Sequence, residues 1–248
     1  MSYKYILNKN FPQCQELVVH IKEYFSKGDA TIHKARNELK IINFATLNVV
    51  VKSFKIPNLI NQVVYSFFRD SKAKKSYEFS LRIKEFTPQP IGYIEFYTLG
   101  LLQESYFISE HFKYDFTIRE PLTQSGFAEK EKLFKCFAKF TFDLHEAGIL
   151  HLDYSPGNIL IKQENDTYLF KIVDINRMEF KKLSLDERLK NFKMLWAKDE
   201  DMKIIAKEYA RLMDVDEELC VQTAIRYSQK NKDFKNMKKR IKGKKVVD

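Results

Sequence analysis

The first half of the chain has the hydrophobic pattern of a strand-rich region. Residues 45–55, ATLNVVVKSFK, contain a β-branched run that reaches Lys52 and predict a central strand, which Pro57 should end. Residues 91–112 predict two more strands that turn near Leu99. The earlier stretches are less clear: residues 27–43 predict a turn followed by alternation, and LVVHIKEYF at 17–25 fits a strand or a helix.

Between these strands, residues 58–86 have helical spacing. Their apolar stripe consists of Leu59, Ile60, Val63, Val64 and Phe67. We expect Asp70-Ser71 to divide the segment into two helices. The sequence Thr87-Pro88-Gln89-Pro90 should end the second one, because a residue before proline is pushed out of the helical region.

The second half of the chain is predominantly helical. Residues 125–148 carry large apolar side chains at helical spacing, and Gly148 is a suitable C-terminal cap. Two or three further helices are predicted within 183–230, and a basic run follows at 231–248. The pattern predicts an α+β chain whose first half is rich in strands and whose second half is rich in helices.

The strongest chemical motif lies between these helices. HLDYSPGNILI at 151–161 and KIVDINRM at 171–178 place His151, Asp153, Asn158 and Asp174 in the spacing of a kinase-type catalytic loop and its metal-binding Asp. Asp153 is the candidate catalytic base, which would accept a proton from the attacking hydroxyl. Asn158 and Asp174 are the candidate Mg²⁺ ligands, since this ion prefers oxygen, and His151 would hold the loop.

Together with the order of elements, this motif predicts a two-lobed protein-kinase-like fold. We expect a single domain over 1–248, with a strand-rich N-lobe at 1–110, a helical C-lobe at 113–230 and a basic tail at 231–248. ATP would bind between the lobes.

Three further sites are predicted for the nucleotide. Lys52 would anchor the α- and β-phosphates, and Glu78, 26 residues later on a helix, is its candidate partner. Glu110 to Phe112 occupy the expected hinge, where backbone groups would hold adenine. No G-x-G-x-x-G loop is present: Gly28 stands alone in this region, with Lys34 and Arg36 as weak phosphate-binding candidates.

Composition limits the choice of partners. The net charge of +10 favours anionic ones, such as phosphates, acidic glycolipids or a membrane face. No nucleic-acid-binding module is recognisable. The sequence does not indicate the oligomeric state. The three widely separated cysteines suggest reduced thiols in a cytosol, and we see no signal peptide or membrane-spanning run. Any membrane contact would be peripheral, with the basic tail as its candidate.

The motifs resemble those of the lipopolysaccharide kinase family of the Kdo/WaaP type. The resemblance rests on HLDYSPGNILI, VDINRM, VVVKSFKIPN, RDSKAKKSYE, TPQPIGYIE and SYFIS, and runs from about residue 34 to 196. It implies a kinase-like fold, use of ATP and Mg²⁺, and phosphorylation of a heptose or Kdo hydroxyl of the lipopolysaccharide core, next to lipid A, on the cytoplasmic side of the inner membrane. It assigns Lys52, Glu78, Asp153, Asn158 and Asp174 the roles given above.

Several departures from protein kinases keep alternatives open. Ile175-Asn176 follows Asp174 in place of Phe-Gly, and no Ala-Pro-Glu segment follows. Ser155 resembles the Asp-x-Ser pattern of atypical RIO-type protein kinases. A small-molecule phosphotransferase of the aminoglycoside type is a further rival. A nucleotide-binding pseudokinase at a membrane is the non-enzymatic alternative.

Overall fold

A computed structural model describes residues 2–28, 30–34, 37–54, 56 and 58–243, with the backbone alone for 30–34. Arg36, Lys55, Pro57 and the last five residues lie outside this part of the chain, as does the side chain of Lys34. The chain forms two compact units. The first comprises residues 1–113 and 174–176, and the second comprises residues 114–173 and 177–248.

The first unit is built on a six-stranded sheet. Its strands are β1 (Ser2–Leu7), β2 (Ala30–Lys34), β3 (Glu38–Phe44), β4 (Leu47–Phe54), β5 (Pro90–Thr98) and β6 (Leu101–Glu110). Their order is β1-β5-β6-β4-β3-β2, and all neighbours are antiparallel. β4 lies inside the sheet, which confirms the predicted central strand. The predicted strand pair is also confirmed, because β5 and β6 turn at Leu99 and Gly100, both with positive φ.

In the described part of this unit, the sheet is accompanied by the helices α1 (Gln15–Val19), α2 (Ile21–Lys27), α3 (Leu59–Phe67) and α4 (Lys72–Ile83). The ambiguous segment 17–25 is therefore helical. The predicted break at Asp70-Ser71 is confirmed. Ser71 is the N-cap of α4, since its hydroxyl accepts a hydrogen bond from the N–H of Lys74 at 3.1 Å.

The two faces of the sheet pack against different helices. On one face, the β4 residues Val49 and Val51 join a core with Leu17 of α1 and Ile21 of α2. On the other face, Phe54 and Tyr93 pack against Tyr77 of α4. Side chains alternate along a strand, so Lys52 lies on the same face as Phe54. It is almost fully buried there.

The second unit contains short strands and longer helices. Its elements are β7 (Phe116–Thr117), α5 (Arg119–Thr123), α6 (Lys130–Glu146), β8 (Ile149–His151), β9 (Ile159–Glu164), β10 (Thr167–Ile172), β11 (Met178–Phe180), α7 (Leu185–Asn191), α8 (Asp199–Met213) and α9 (Glu217–Ile241). The predicted helix 125–148 begins only at Lys130. Its C-terminus is as predicted: Gly148 has φ 70°, and its N–H donates to the carbonyl oxygen of His145.

The last helix is longer than the sequence suggested. We expected a basic tail from residue 231, but α9 continues to Ile241, so most of this run is helical. Contacts with the chain between α7 and α8 support the extension. Asn231 donates to the carbonyl oxygen of Lys193, and Lys232 to that of Ala197. None of the described helices is both long and apolar enough to cross a bilayer.

Candidate active site

The first part of the candidate catalytic motif, residues 151–158, forms a tight loop of the second unit. β8 leads into this loop and pairs with β11, and the N–H of Leu152 extends the pairing by donating to the carbonyl oxygen of Arg177. A 3-10 turn, Pro156–Asn158, then leads into β9. The loop therefore begins and ends at hydrogen-bonded strands.

His151 holds the backbone of this loop. Its ring is fully buried. The Nδ1 atom accepts a hydrogen bond from the N–H of Asp153 at 3.0 Å, and Nε2 lies 3.0 Å from the carbonyl oxygen of Val173. Because Nδ1 is an acceptor, the proton is on Nε2, which donates to Val173. His151 is thus a neutral positioning residue, in agreement with the structural role expected for it.

Asn158 closes the loop from its other end. Its side-chain Nδ2 donates to the carbonyl oxygen of Asp153 at 2.9 Å, and its own carbonyl oxygen accepts from the N–H of Val173 at 2.9 Å. The Asp153 carbonyl also accepts from the N–H of Ser155. With its amide nitrogen used in this way, Asn158 can offer Oδ1 as a metal ligand. The half-buried Asp153 carboxylate takes no part in these bonds.

Buried polar side chains of α6 and α7 support the loop. The Tyr154 ring is fully buried and stacks on Phe137 of α6, and its hydroxyl lies 2.8 Å from that of Thr141. Asn191 donates to the carbonyl oxygen of His151 at 3.0 Å, and its Oδ1 contacts His145 Nε2 at 3.2 Å. These bonds tie the catalytic loop to α6 and α7.

His145 makes the stability of these buried contacts dependent on pH. Burial lowers the pKa of His145 to about 4. The unfolded chain therefore binds the proton more readily, and the neutral imidazole stabilises the fold above pH 6.5. We expect this contribution, on the order of 3 kcal/mol, to be lost as the pH falls from 6.5 towards 4. Denaturant unfolding should show a steeper loss over this interval for the wild type than for His145→Gln. Parallel pH profiles would contradict the prediction.

In the first unit, Lys52 and Asp174 form an ion pair. Lys52 Nζ lies 2.6 Å from Asp174 Oδ1, and the same oxygen accepts a hydrogen bond from Asn176 Nδ2 at 2.7 Å. Asp174 has φ 57°, a left-handed conformation that is uncommon outside glycine. Lysine and asparagine thus fix the carboxylate at a backbone position that a β-branched residue would not favour.

The expected ion pair between Lys52 and Glu78 is not formed. The Glu78 carboxylate is half-exposed on α4 and lies 3.7 Å from Lys74 Nζ, one turn earlier. The residues that α4 turns towards the sheet are Ala73, Ser76, Tyr77 and Ser80. Glu78 is not among these residues and is exposed, and Lys52 pairs with Asp174 instead.

The predicted hinge follows β6. The N–H of Glu110 donates to the carbonyl oxygen of Gln89, and the N–H of His111 to that of Asn48. Burial raises the pKa of the half-buried Glu110 carboxyl. Among the described residues, the N–H of Phe112 has no backbone acceptor, so it is the hinge donor that could meet a ligand.

Sequence reasoning missed a group of basic residues, of which Lys235 interacts electrostatically with Asp153. Lys235 and Lys239, one turn apart on α9, place their ammonium groups 5.2 and 5.5 Å from the centre of the Trp196 ring. Lys193 lies in the preceding 3-10 turn, Phe192–Leu195. Burial lowers the pKa of Lys235, whereas the negative charge of Asp153 acts to raise it. The helical spacing of the lysines was visible in the sequence, but their packing against Trp196 was not.

Similarity to a solved structure defines the class of fold. WaaP in complex with acyl carrier protein matches with a TM-score of 0.60 and 15% identity, over 92% of this chain and 99% of that chain. The Rio2 kinase–ADP/Mg²⁺–phosphoaspartate complex from Chaetomium thermophilum matches with a TM-score of 0.48 and 15% identity, over 86% of this chain and 67% of that one. The match to WaaP shows that the chain has a kinase-like fold.

The family follows from the sequence itself. The model of the lipopolysaccharide kinase (Kdo/WaaP) family matches residues 87–216, and the chain belongs to this family. It is accordingly an ATP-dependent kinase that acts on lipopolysaccharide. The matched segment includes Asp153, Asn158 and Asp174, whereas Lys52 and Glu78 precede it. Comparison with the curated proteins gives no match.

Proposed function

We propose that this kinase transfers the γ-phosphoryl group of ATP to a Kdo or heptose hydroxyl of the lipopolysaccharide inner core. The main support for this proposal is the geometry of the catalytic loop. Backbone groups, His151 and Asn158 hold the loop, and the Asp153 carboxylate is left to face a substrate. A carboxylate in this position can accept the proton of a sugar hydroxyl as the oxygen attacks phosphorus.

The other residues would bind and orient ATP. Asn158 Oδ1 and the Asp174 carboxylate are the proposed Mg²⁺ ligands, and their oxygen donors suit this hard cation. When bound, Mg²⁺ would neutralise charge on the phosphates. Lys52 would contact the α- and β-phosphates, with the hinge at Glu110 to Phe112 holding adenine. Glu78 remains a candidate for pairing with Lys52 in a nucleotide-bound state.

A transfer assay tests this proposal against its rivals. Purified full-length protein with labelled ATP, Mg²⁺ and inner-core lipopolysaccharide should place label in the glycan. Label mainly in the protein itself would favour a RIO-like protein kinase. ATP binding without any transfer would favour a pseudokinase. Labelling of the glycan that persists after removal of Mg²⁺ with a chelator would contradict the metal assignment.

The group of lysines around Lys235, which interacts with Asp153, suggests that the acceptor carries a further negative charge. Lys193, Lys235 and Lys239 are half-buried, and among the described residues none of them forms a salt bridge with a carboxylate. A phosphate or sugar carboxylate on the acceptor would satisfy them by charge-assisted hydrogen bonds. The Trp196 ring beside them offers an apolar surface on which a sugar can stack.

The double variant Lys235→Gln/Lys239→Gln should raise KM for the acceptor about tenfold or more, with little change in KM for ATP. Lys230→Gln/Lys238→Gln removes the same charge from the same helix and is the matched control. Chemical dephosphorylation of the acceptor should reduce the difference from wild type if the recognised anion is a phosphate. Equal acceptor KM values for both double variants would contradict this subsite.

We also propose that the enzyme works at the cytoplasmic face of the inner membrane as a peripheral protein. Its acceptor is built on a lipid, and its net charge of +10 is attracted to anionic headgroups. Cell fractionation with and without a high-salt wash tests this location. Protein that stays in the soluble fraction at low salt would contradict it.

A further inference from the structure

Helix α3 has the reverse of the usual amphipathic arrangement. The side chains of Leu59, Ile60, Phe67 and the following Phe68 are 73%, 76%, 67% and 79% exposed, whereas Gln62 is 7% exposed. A surface helix normally buries its apolar stripe and exposes its polar residues. Here the apolar stripe that the sequence predicted lies on the solvent side.

Hydrogen bonds fix α3 in this orientation. Ser66 Oγ accepts from the N–H of Leu102 on β6 at 2.9 Å and donates to the carbonyl oxygen of Gln62 at 2.6 Å. At the N-terminus, Asn58 Oδ1 accepts from the N–H of Asn61 at 3.0 Å, which sets the start of the helix. Rotating α3 to bury its apolar side chains would break the contact with β6.

The exposed apolar residues of α3 are three or four positions apart and therefore lie on the same side of the helix. With Val63, which is also exposed, Leu59, Ile60 and Phe67 lie on one side of the helix, and the exposed Phe68 follows as its C-cap. We call these residues the α3 face (Leu59, Ile60, Val63, Phe67 and Phe68). Leaving these apolar side chains in water forgoes the free energy that their burial would provide. Clustered exposure of this kind marks a binding surface.

The distribution of charged residues indicates which kind of partner binds the α3 face. Residues 59–68 contain no charged side chain, but the next seven contain Arg69, Lys72, Lys74 and Lys75 against Asp70 alone. An uncharged apolar helix followed by an excess of basic residues matches an interfacial membrane segment. There the apolar side enters the acyl boundary, and basic side chains meet anionic headgroups.

We propose that the α3 face inserts into the interfacial layer of an anionic lipid bilayer. This contact involves the first unit and differs from the basic run on α9. It does not depend on which sugar is phosphorylated. It would hold the enzyme at the surface where its lipid-linked acceptor resides.

Vesicle flotation with the full-length chain tests the proposal. Wild-type protein should float with vesicles of phosphatidylglycerol and phosphatidylethanolamine. Leu59→Ser/Ile60→Ser/Phe67→Ser should lower the partition coefficient at least about tenfold, since each side chain loses apolar burial. Leu99→Ser is the matched control, because Leu99 is 96% exposed in the same unit but lies at the β5–β6 turn. This control should bind as wild type does.

Two additional measurements keep the outcome unambiguous. The thermal midpoint of the triple variant should match that of wild type, because the replaced side chains do not contribute to the core. Light scattering without vesicles should give the same mass for both proteins. Vesicle binding unchanged in the triple variant would overturn the proposal. So would a change from dimer to monomer with binding retained, which would assign the face to a second copy of the chain.

Discussion

Replacement of Asp153 by Asn should lower kcat for phosphoryl transfer by roughly 10²- to 10⁴-fold, the range associated with loss of a general base. The fold should survive, because the loop uses the backbone of Asp153 and not its carboxylate. The N–H that donates to His151 and the carbonyl that accepts from Asn158 are both retained. Steady-state kinetics with the lipopolysaccharide acceptor, alongside ATP titration, measure the effect.

The nucleotide affinity of this variant is the internal control. It should stay within a few-fold of wild type, since Asp153 is assigned to the acceptor hydroxyl and not to ATP. Asp143→Asn, on the exposed side of α6, serves as the matched substitution and should leave kcat unchanged. Turnover that persists in Asp153→Asn would remove Asp153 from its proposed role.

Lys52→Met should lower kcat/KM for ATP by at least about tenfold, because a charge-assisted contact with phosphate contributes about 1.5–3 kcal/mol. Methionine keeps much of the length and the apolar stem of the buried side chain, so the sheet should remain intact. The substitution also takes from Asp174 the ammonium that lies 2.6 Å away. Steady-state kinetics with varied ATP report the change.

Lys4→Met on β1 is the control for Lys52, since it removes a lysine from an exposed position in the same sheet. Lys52→Arg should not restore full activity, because the planar guanidinium cannot replace a compact ammonium in this buried position. Wild-type kinetics in Lys52→Met would show that the ion pair with Asp174 is structural only.

The helices and strands around the site could be predicted from the sequence because each depends on a strong local sequence signal. The β-branched run predicted β4, Asp70-Ser71 predicted the break before α4, and Gly148 marked the end of α6. The catalytic loop was recognisable because the spacing of its polar residues is set by a tight turn between strands. These local features were sufficient to predict that the chain is a kinase.

Other features depend on contacts between distant parts of the chain. Periodicity found the apolar stripe of α3, but the bond from Leu102 to Ser66 decides that the stripe faces solvent. The hydrophobic spacing correctly predicted that Glu78 lies on a helix. It could not predict that the Glu78 carboxylate would pair with Lys74 on the same helix. The lysines of α9 reach Trp196 only because two side chains of that helix bond to the carbonyls of Lys193 and Ala197.

The most direct test of the proposed function is the position of the transferred phosphate. Lipopolysaccharide lacking core phosphates is incubated with ATP, Mg²⁺ and either wild-type protein or Asp153→Asn, and the products are fragmented by mass spectrometry. A Kdo or heptose kinase should add one phosphate to an inner-core sugar with wild-type protein and none with the variant. A phosphate found only on lipid A or on protein, with the core sugars unchanged, would contradict the assignment.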